Sequence, residues 1–363
     1  MLSRRQLLQL TGIGCGVCVG ENLHSALACL SREARQNMIN AIPGKVGQQY
    51  KRAGFVGYHA TSQPASSHTF RSLQTMWLNV ARRSDGWLQI IMLPNSAGLP
   101  AADTEAVLAT ASGRFDVVTV AGPAIDPIMP QVIPLQALAF AYANSNEAKS
   151  VVNSPLYATC MRDAAMANNL YCLDGLLNAG MRQMTTIKSR PLHSSKDFAG
   201  LILRIPPSPI YSEQLRPLGI TTVMTPISDG LTAIKTGTVM GQENPVNYTV
   251  LFGFYRLCKY LNETNHFWSG FNTLINADTY DQWPDAVKTI VQEEYSSIIA
   301  SQWTAIEEDN RQAMAYCLAS GMTLIKTDVS KARQMVSQAQ LSIIERLDAR
   351  LKPMARALIK LSI

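Results

Sequence analysis

The stretch 201–248 constrains the fold of this chain most, because short apolar runs alternate there with helix-start and helix-end signals. The run at 201–205 is the kind of apolar segment that is buried on both faces of a parallel sheet. Ser208 followed by Pro209 is typical of a helix start, and Gly219 is typical of the position after a helix end. The stretch therefore predicts a strand, a helix and a return to the sheet, as in α/β proteins.

The pattern continues to the end of this stretch and beyond it. The β-branched run at 220–224 predicts a second strand, Ser228 is predicted to cap a second helix, and Gly237 is predicted to close it. The stretch is predicted to end in a further short strand and in a turn formed by the polar residues at 241–245, and 251–260 is predicted to be a helix.

Two polar side chains of this stretch are candidates for ligand binding. Arg204 and Asn244 both lie where a predicted strand ends, and ligands in open α/β sheets bind at the carboxyl ends of parallel strands. The guanidinium group of Arg204 is a planar fork of donors that matches a carboxylate, and Asn244 offers both donors and an acceptor. An ordinary structural salt bridge is an equally good interpretation of Arg204 from spacing alone.

Four segments in one order carry a resemblance to a known family. They are LRIPPSP, LGITTVMTPIS, LTAIKTGTVMGQENP and LNETNH, and together with GMRQMTT, ALAFAYANSNEA and TLINADTYDQW they cover most of the chain. The chain resembles the DctP-type solute receptors of tripartite ATP-independent periplasmic (TRAP) transporters. It departs from the family pattern at Met240, Asp229 and Met181.

The resemblance implies a two-domain α/β fold like that of periplasmic binding proteins. Each domain is expected to be a mixed sheet flanked by helices, and a long helix is expected to span both. The first domain is predicted to hold 49–179 plus 270–309. The second is predicted to hold 180–269 plus 310–363.

The resemblance also implies a receptor that binds a small organic anion, a carboxylate, in the interdomain cleft. Arg182 would support a second polar group beside the clamp of Arg204 and Asn244. Further lining residues are expected among Ser208, Met224, Ile227, His59, Phe267 and Phe271. A surface histidine in a turn is an equal alternative for His59, and hinge packing is the alternative for each phenylalanine.

Composition and motifs exclude several other classes of protein. The net charge of +6 is spread over 363 residues, and no basic block predicts nucleic-acid binding. The sequence contains no nucleophile elbow, P-loop, zinc-protease motif or dinucleotide fingerprint, so no enzyme activity, cofactor or metal is predicted. An exported cofactor- or metal-dependent enzyme remains the alternative, together with a solute receptor that feeds a signalling partner.

The N-terminus predicts export. Residues 1–28 fit a twin-arginine signal peptide, with Arg4 and Arg5 before an apolar region, and 29–48 is predicted to be a loose segment. Cys29 could carry a lipid anchor, although its motif is imperfect. No later segment reaches the ~20 apolar residues that a membrane span needs. The signal predicts an exported protein, and the resemblance implies a periplasmic receptor, expected to be a monomer, that delivers its ligand to TRAP membrane subunits.

The cysteines leave one alternative open. Cys160 and Cys172 could form a disulfide in an oxidising compartment, or they could be two buried free thiols.

Overall fold

The computed structural model describes residues 53–99 and 102–360. The predicted signal peptide 1–28, the segment 29–48 and the possible anchor at Cys29 lie outside the described residues.

The described chain alternates strands and helices. The strands are β1 Phe55–Thr61, β2 Leu88–Leu93, β3 Val117–Ala121, β4 Leu170–Cys172, β5 Leu177–Thr186, β6 Ile202–Ile205, β7 Thr221–Met224, β8 Gly241–Pro245, β9 Tyr260–Asn276 and β10 Thr323–Lys326. The helices are α1 His68–Arg83, α2 Ala102–Ala111, α3 Gly122–Ile125, α4 Ser145–Val152, α5 Pro155–Met166, α6 Pro209–Leu215, α7 Ile227–Lys235, α8 Val246–Leu251, α9 Ala277–Asp281, α10 Asp285–Ala319, α11 Ser330–Met335, α12 Ser337–Arg346 and α13 Lys352–Lys360. Short 3-10 helices occur at Asn95–Gly98, Ile133–Gln136, Ser195–Phe198, Arg216–Leu218 and Phe254–Arg256.

The chain forms two compact units. Unit 1 holds the described residues up to Thr119, with Asn169–Tyr171 and Thr273–Ile298. Unit 2 holds Val120–Asn168, Cys172–Asn272 and the described residues from Ile299 onward. Contacts therefore group 120–168 with unit 2, whereas the sequence assigns that stretch to the first domain. The sequence-based domain boundaries stay a prediction.

Unit 1 is built on parallel strands in the order β2-β1-β3, followed by the last part of β9. Helix α1 begins where the Ser67 hydroxyl accepts a hydrogen bond from the amide of Phe70 at 3.1 Å. The predicted apolar stripe of this helix is confirmed, because its members are all buried: Leu73, Met76, Trp77 and Val80.

Unit 2 contains a mixed sheet in the order β9-β5-β8-β6-β7, and β10 pairs with β9. Strands β7, β6 and β8 run parallel to one another, whereas β5 is antiparallel to both β8 and β9. Helices flank the sheet, so the predicted α/β class is confirmed. The 35-residue helix α10 runs through both units, with its residues up to Ile298 in unit 1.

Three local predictions need correction. Helix α7 begins at Ile227 after Pro226, and Ser228 lies inside it rather than capping it. The predicted further short strand is present, but 241–245 form it as the buried strand β8 and are not a turn, because their polar side chains find partners on β5. The stretch 251–260 is not one helix: α8 ends at Leu251 and strand β9 begins at Tyr260.

Two further predictions concern the cysteines and the membrane. Within the described ranges Cys160, Cys172, Cys258 and Cys317 are all free and buried, so the free-thiol alternative holds for Cys160 and Cys172. In the same part of the chain, no helix combines the length and the hydropathy that a membrane span requires.

Candidate functional site

Three parallel strands of unit 2 end side by side and bring the central candidate residues to one edge of the sheet. Arg204 on β6 is paired with Val223 on β7 and with Gln242 on β8. Thr225 follows β7 directly, and Asn244 lies two residues beyond Gln242. Since ligands of open α/β sheets bind at such strand ends, this edge is the candidate functional site.

Arg204 is held in a defined orientation at this edge. Its side chain is buried, with the residue only 2% exposed. Its Nε and Nη2 both donate to the backbone oxygen of Thr225, at 2.9 and 2.5 Å. Gly230 packs beside this side chain: a Cβ atom there would lie 3.7 Å from Arg204 Cδ and would meet the Phe254 ring at 2.9 Å. The Nε–Nη2 edge of the guanidinium is therefore held by the backbone of Thr225.

Arg182 makes a two-point ion pair with a buried carboxylate. Its Nε donates to Glu243 Oε2 at 2.5 Å, and its Nη2 donates to Glu243 Oε1 at 2.8 Å. The Nη1 atom donates to Ser269 Oγ at 3.2 Å. His266 contributes a ring nitrogen, Nε2, 3.3 Å from Glu243 Oε2. Arg182, Glu243 and His266 thus form one buried network, which we call the β5–β8 network.

Asn244, which lies on β8, connects this network to Gln242 on the same strand. Its Oδ1 accepts from Arg182 Nη2 at 3.0 Å, and its Nδ2 donates to Gln242 Oε1 at 2.6 Å. Gln242 in turn donates to Thr185 Oγ1 on β5 at 2.7 Å. The amide plane of Asn244 is consequently fixed from both ends.

The charges in the β5–β8 network balance. Burial opposes ionisation of Glu243, but the charge of Arg182 and hydrogen bonds from His266 and Arg182 outweigh it and lower the pKa of Glu243. Burial lowers the pKa of His266, although the Glu243 carboxylate partly offsets this. Burial also opposes the charge of Arg182, yet Glu243 raises the net pKa of its guanidinium. At neutral pH the network therefore contains one cation, one anion and a neutral histidine.

Aromatic side chains pack beside the network. Phe267 is buried and stacks on Tyr211 with ring centroids 4.0 Å apart, and the guanidinium of Arg182 lies 5.4 Å from the centre of the Tyr211 ring. Phe271 is also buried on β9, where it pairs with Leu177 of β5.

The remaining candidates of unit 2 have different environments. Ser208 is buried at the start of α6, where its hydroxyl accepts from the amide of Tyr211 at 3.4 Å and donates to Asp126 Oδ2 at 3.4 Å. Ile227 is the first residue of α7 and is half-buried. Met224 ends β7 and is 46% exposed, so it has the most accessible side chain of the predicted set.

His59 lies in unit 1, on strand β1. It is fully buried, its Nδ1 accepts from Trp77 Nε1 at 2.8 Å, and its Nε2 lies 2.8 Å from Thr119 Oγ1. Burial lowers the pKa of His59 to about 3. Both ring nitrogens are thus engaged inside unit 1, and the turn-surface alternative does not hold.

The structure adds residues that the sequence did not single out. Glu243, His266, Tyr211 and Ser269 surround Arg182, and the backbone of Thr225 holds Arg204. An acidic residue inside the otherwise uncharged segment 241–245 was the available signal, since a buried charge requires a partner. In the described ranges no three His, Cys, Asp or Glu side chains form a group that could hold a metal ion.

Comparison with known proteins identifies the family to which this chain belongs. A family model described as bacterial extracellular solute-binding protein, family 7 (DctP), matches residues 59–347. The chain belongs to this family and is a solute receptor of the TRAP type.

Individual relatives agree with the family. A solute-binding protein of Verminephrobacter eiseniae is 25% identical over 286 residues, which are 77% of this chain and 81% of the relative. The sialic acid-binding periplasmic protein SiaP of Vibrio cholerae is 26% identical over 46% of this chain and 51% of its own length. A crystal structure of a TRAP periplasmic solute-binding protein of Xanthobacter autotrophicus, with bound β-D-galacturonate, has a similar fold. Its TM-score is 0.78 at 18% identity, over 84% of this chain and 99% of that one.

Proposed function

We propose that this protein is a non-enzymatic extracytoplasmic receptor that binds a small organic acid at Arg204 and Asn244. The receptor would deliver the ligand to the membrane subunits of a TRAP transporter. Uronates are the first ligands to test, because structurally similar receptors are described with bound galacturonate and glucuronate.

The orientation of Arg204 is the observation that carries the proposal. Its Nε and Nη2 edge is taken by the Thr225 carbonyl, so the guanidinium is aligned before any ligand arrives. A carboxylate bound to a pre-aligned, desolvated guanidinium makes charge-assisted hydrogen bonds, which are the stronger kind. Membership in a family of solute-binding proteins supports a ligand-binding role for this aligned guanidinium.

The roles of the two arginines differ in this proposal. Arg182 is neutralised by Glu243 and therefore orients Asn244 rather than supplying the main positive charge. In this proposal Arg204, which the Thr225 carbonyl aligns, is the residue that receives the ligand carboxylate. Ser208, Met224, Ile227, Phe267, Phe271 and His59 stay predicted lining residues.

The test is identification of the ligand. Protein purified from its host should release a carboxylic acid on denaturation, detected by mass spectrometry, and the same acid should raise the melting temperature of the stripped protein. Binding at one hundred times the dissociation constant stabilises by about 2.7 kcal/mol, a shift that is easily measured. A flavin or metal released in stoichiometric amount would instead favour the exported enzyme.

The proposal includes export through the segment 1–28 and a monomeric state. The expected mature N-terminus lies near Cys29, and N-terminal sequencing of the periplasmic form tests this. An N-terminus blocked by a lipid would show that Cys29 is the anchor.

A further inference from the structure

We propose that the hydroxyl group of Thr225 determines specificity at this site by binding a ligand hydroxyl on the carbon that bears the carboxylate. The inference rests on the proposed function, since it needs a carboxylate on Arg204. It adds a residue and a ligand class: 2-hydroxy acids, including aldonic acids such as gluconate, are bound in preference to the matching acids without that hydroxyl.

The position of Thr225 is set by the sheet. Strands β6 and β7 are parallel with Ile205 opposite Met224, and the amide of Thr225 continues this ladder by donating to the oxygen of Ile205 at 3.1 Å. The backbone oxygen of the same residue receives both donors of Arg204. Thr225 is thus anchored to β6 on one side and to the guanidinium on the other.

The side chain of Thr225 is the unsatisfied part of this arrangement. Its Oγ1 is buried and has no hydrogen-bond partner within the described part of the chain. Leaving a buried hydroxyl unpaired is unfavourable, and most such groups in folded proteins have a partner. This hydroxyl lies on the residue that contacts the Arg204 guanidinium, and it is therefore suited to bind a polar group of the ligand.

The proximity of these two groups defines the ligand. The hydroxyl that lacks a partner among the described residues belongs to the same residue whose backbone oxygen holds the guanidinium, and one ligand is proposed to meet both groups. A carboxylate with a hydroxyl on the adjacent carbon offers a partner to each. Since a threonine hydroxyl both donates and accepts, it pairs with an alcohol in either direction.

A matched set of ligands and variants tests the inference. Malate is compared with succinate, and D-gluconate with 2-deoxy-D-gluconate, by isothermal titration calorimetry. We expect the wild-type protein to prefer the hydroxy acid of at least one pair by about tenfold, the net contribution of one neutral hydrogen bond. Thr225→Val keeps the shape and the backbone oxygen that holds Arg204, but we expect it to abolish the preference.

Two further substitutions complete the design. Thr225→Ser restores a hydroxyl, and we expect it to retain most of the preference. Thr221→Val makes the same chemical change at an exposed position of β7 and should leave every affinity unchanged. If Thr225→Val does not fold, judged by circular dichroism and melting temperature, Thr225→Ala replaces it.

The outcomes separate the inference from the proposed function. If the wild-type protein and the Thr225→Val variant bind these acids with the same hydroxyl preference, the inference is overturned and the receptor proposal stands. A wild-type protein that binds none of these acids and co-purifies with none overturns both.

Discussion

At the scale of single residues, the two buried arginines of unit 2 differ in the groups that hold them. Arg182 is matched by a carboxylate of the same sheet, while Arg204 is aligned by a backbone oxygen that carries only a partial charge. The first arrangement stabilises the fold, and in the proposed receptor the second holds Arg204 in position for a ligand carboxylate.

Removing the guanidinium of Arg204 should abolish tight binding. With the identified acid, Arg204→Ala is expected to lose about 2–5 kcal/mol, roughly a thirty- to several-thousandfold loss of affinity. Arg204→Lys should not rescue it, because an ammonium lacks the planar fork. Calorimetry measures both, with Arg216→Lys at an exposed position as the control. Affinities within twofold of the wild type would make Arg204 a structural residue.

Breaking the pair of Arg182 and Glu243 should destabilise the fold. Glu243→Gln leaves a buried guanidinium without its counter-ion, which typically costs about 3–5 kcal/mol. Urea unfolding measures the loss. The double variant Arg182→Gln/Glu243→Gln should be less destabilised than the sum of the two single variants, since neither charge then remains unpaired. Strictly additive losses would argue against the coupling.

At the scale of elements, strand β8 shows where a sequence pattern and a fold separate. Gly241 to Pro245 contains no apolar alternation, yet every residue of it is buried. Its stability comes from side-chain partners on β5, which lies more than fifty residues earlier in the chain. Local signals cannot reveal such partners, so the prediction of a turn was wrong.

Gly241 should tolerate no side chain. A Cβ atom there would lie 2.3 Å from the backbone oxygen of Thr185, which the paired strand cannot move without breaking its ladder. We expect Gly241→Ala to lower the free energy of unfolding by more than Gly237→Ala does. The latter meets nothing within 4 Å, and its cost is the left-handed conformation alone, about 1–2 kcal/mol. Equal losses in denaturant unfolding would contradict the close packing of β8 on β5.

Other elements were predictable because their signals are local. Ser208 and Pro209 begin α6, and Gly219 follows with a φ of 77°, as their spacing indicates. The start of α7 was misplaced by the serine at 228, whose hydroxyl instead lies 3.3 Å from Asp229 Oδ1. The sequence named Arg204, Asn244 and Arg182 as candidates. It could not reveal the contact between Arg204 and Thr225, because that contact depends on the register of strands β6 and β7.

At the scale of the whole molecule, stability should fall in mild acid. His59 is neutral when folded, with its pKa lowered by burial to about 3, and it titrates near 6.5 when unfolded. Its contribution is therefore complete above about pH 6.5 and is lost as the pH falls toward 3, at about 1.4 kcal/mol per pH unit. The lowered pKa of His266 acts in the same direction.

Comparing unfolding free energies at several pH values isolates His59. His59→Gln can still accept from Trp77 and donate to Thr119, so we expect a folded protein whose stability changes less between pH 6.5 and 4. Its curve should run closer to the wild type at low pH than at neutral pH. Parallel curves would show that His59 does not drive the pH dependence.

The fixed guanidinium of Arg204 also has a consequence for the kinetics of capture. Its long side chain would otherwise have to find one rotamer during each encounter, at a cost of about 0.5–1.5 kcal/mol. Because the Thr225 carbonyl already selects that rotamer, a ligand anion of the proposed receptor would meet a side chain that is already in its binding rotamer. Substitutions at the site should then act mainly on how long a ligand stays, and much less on how fast it arrives.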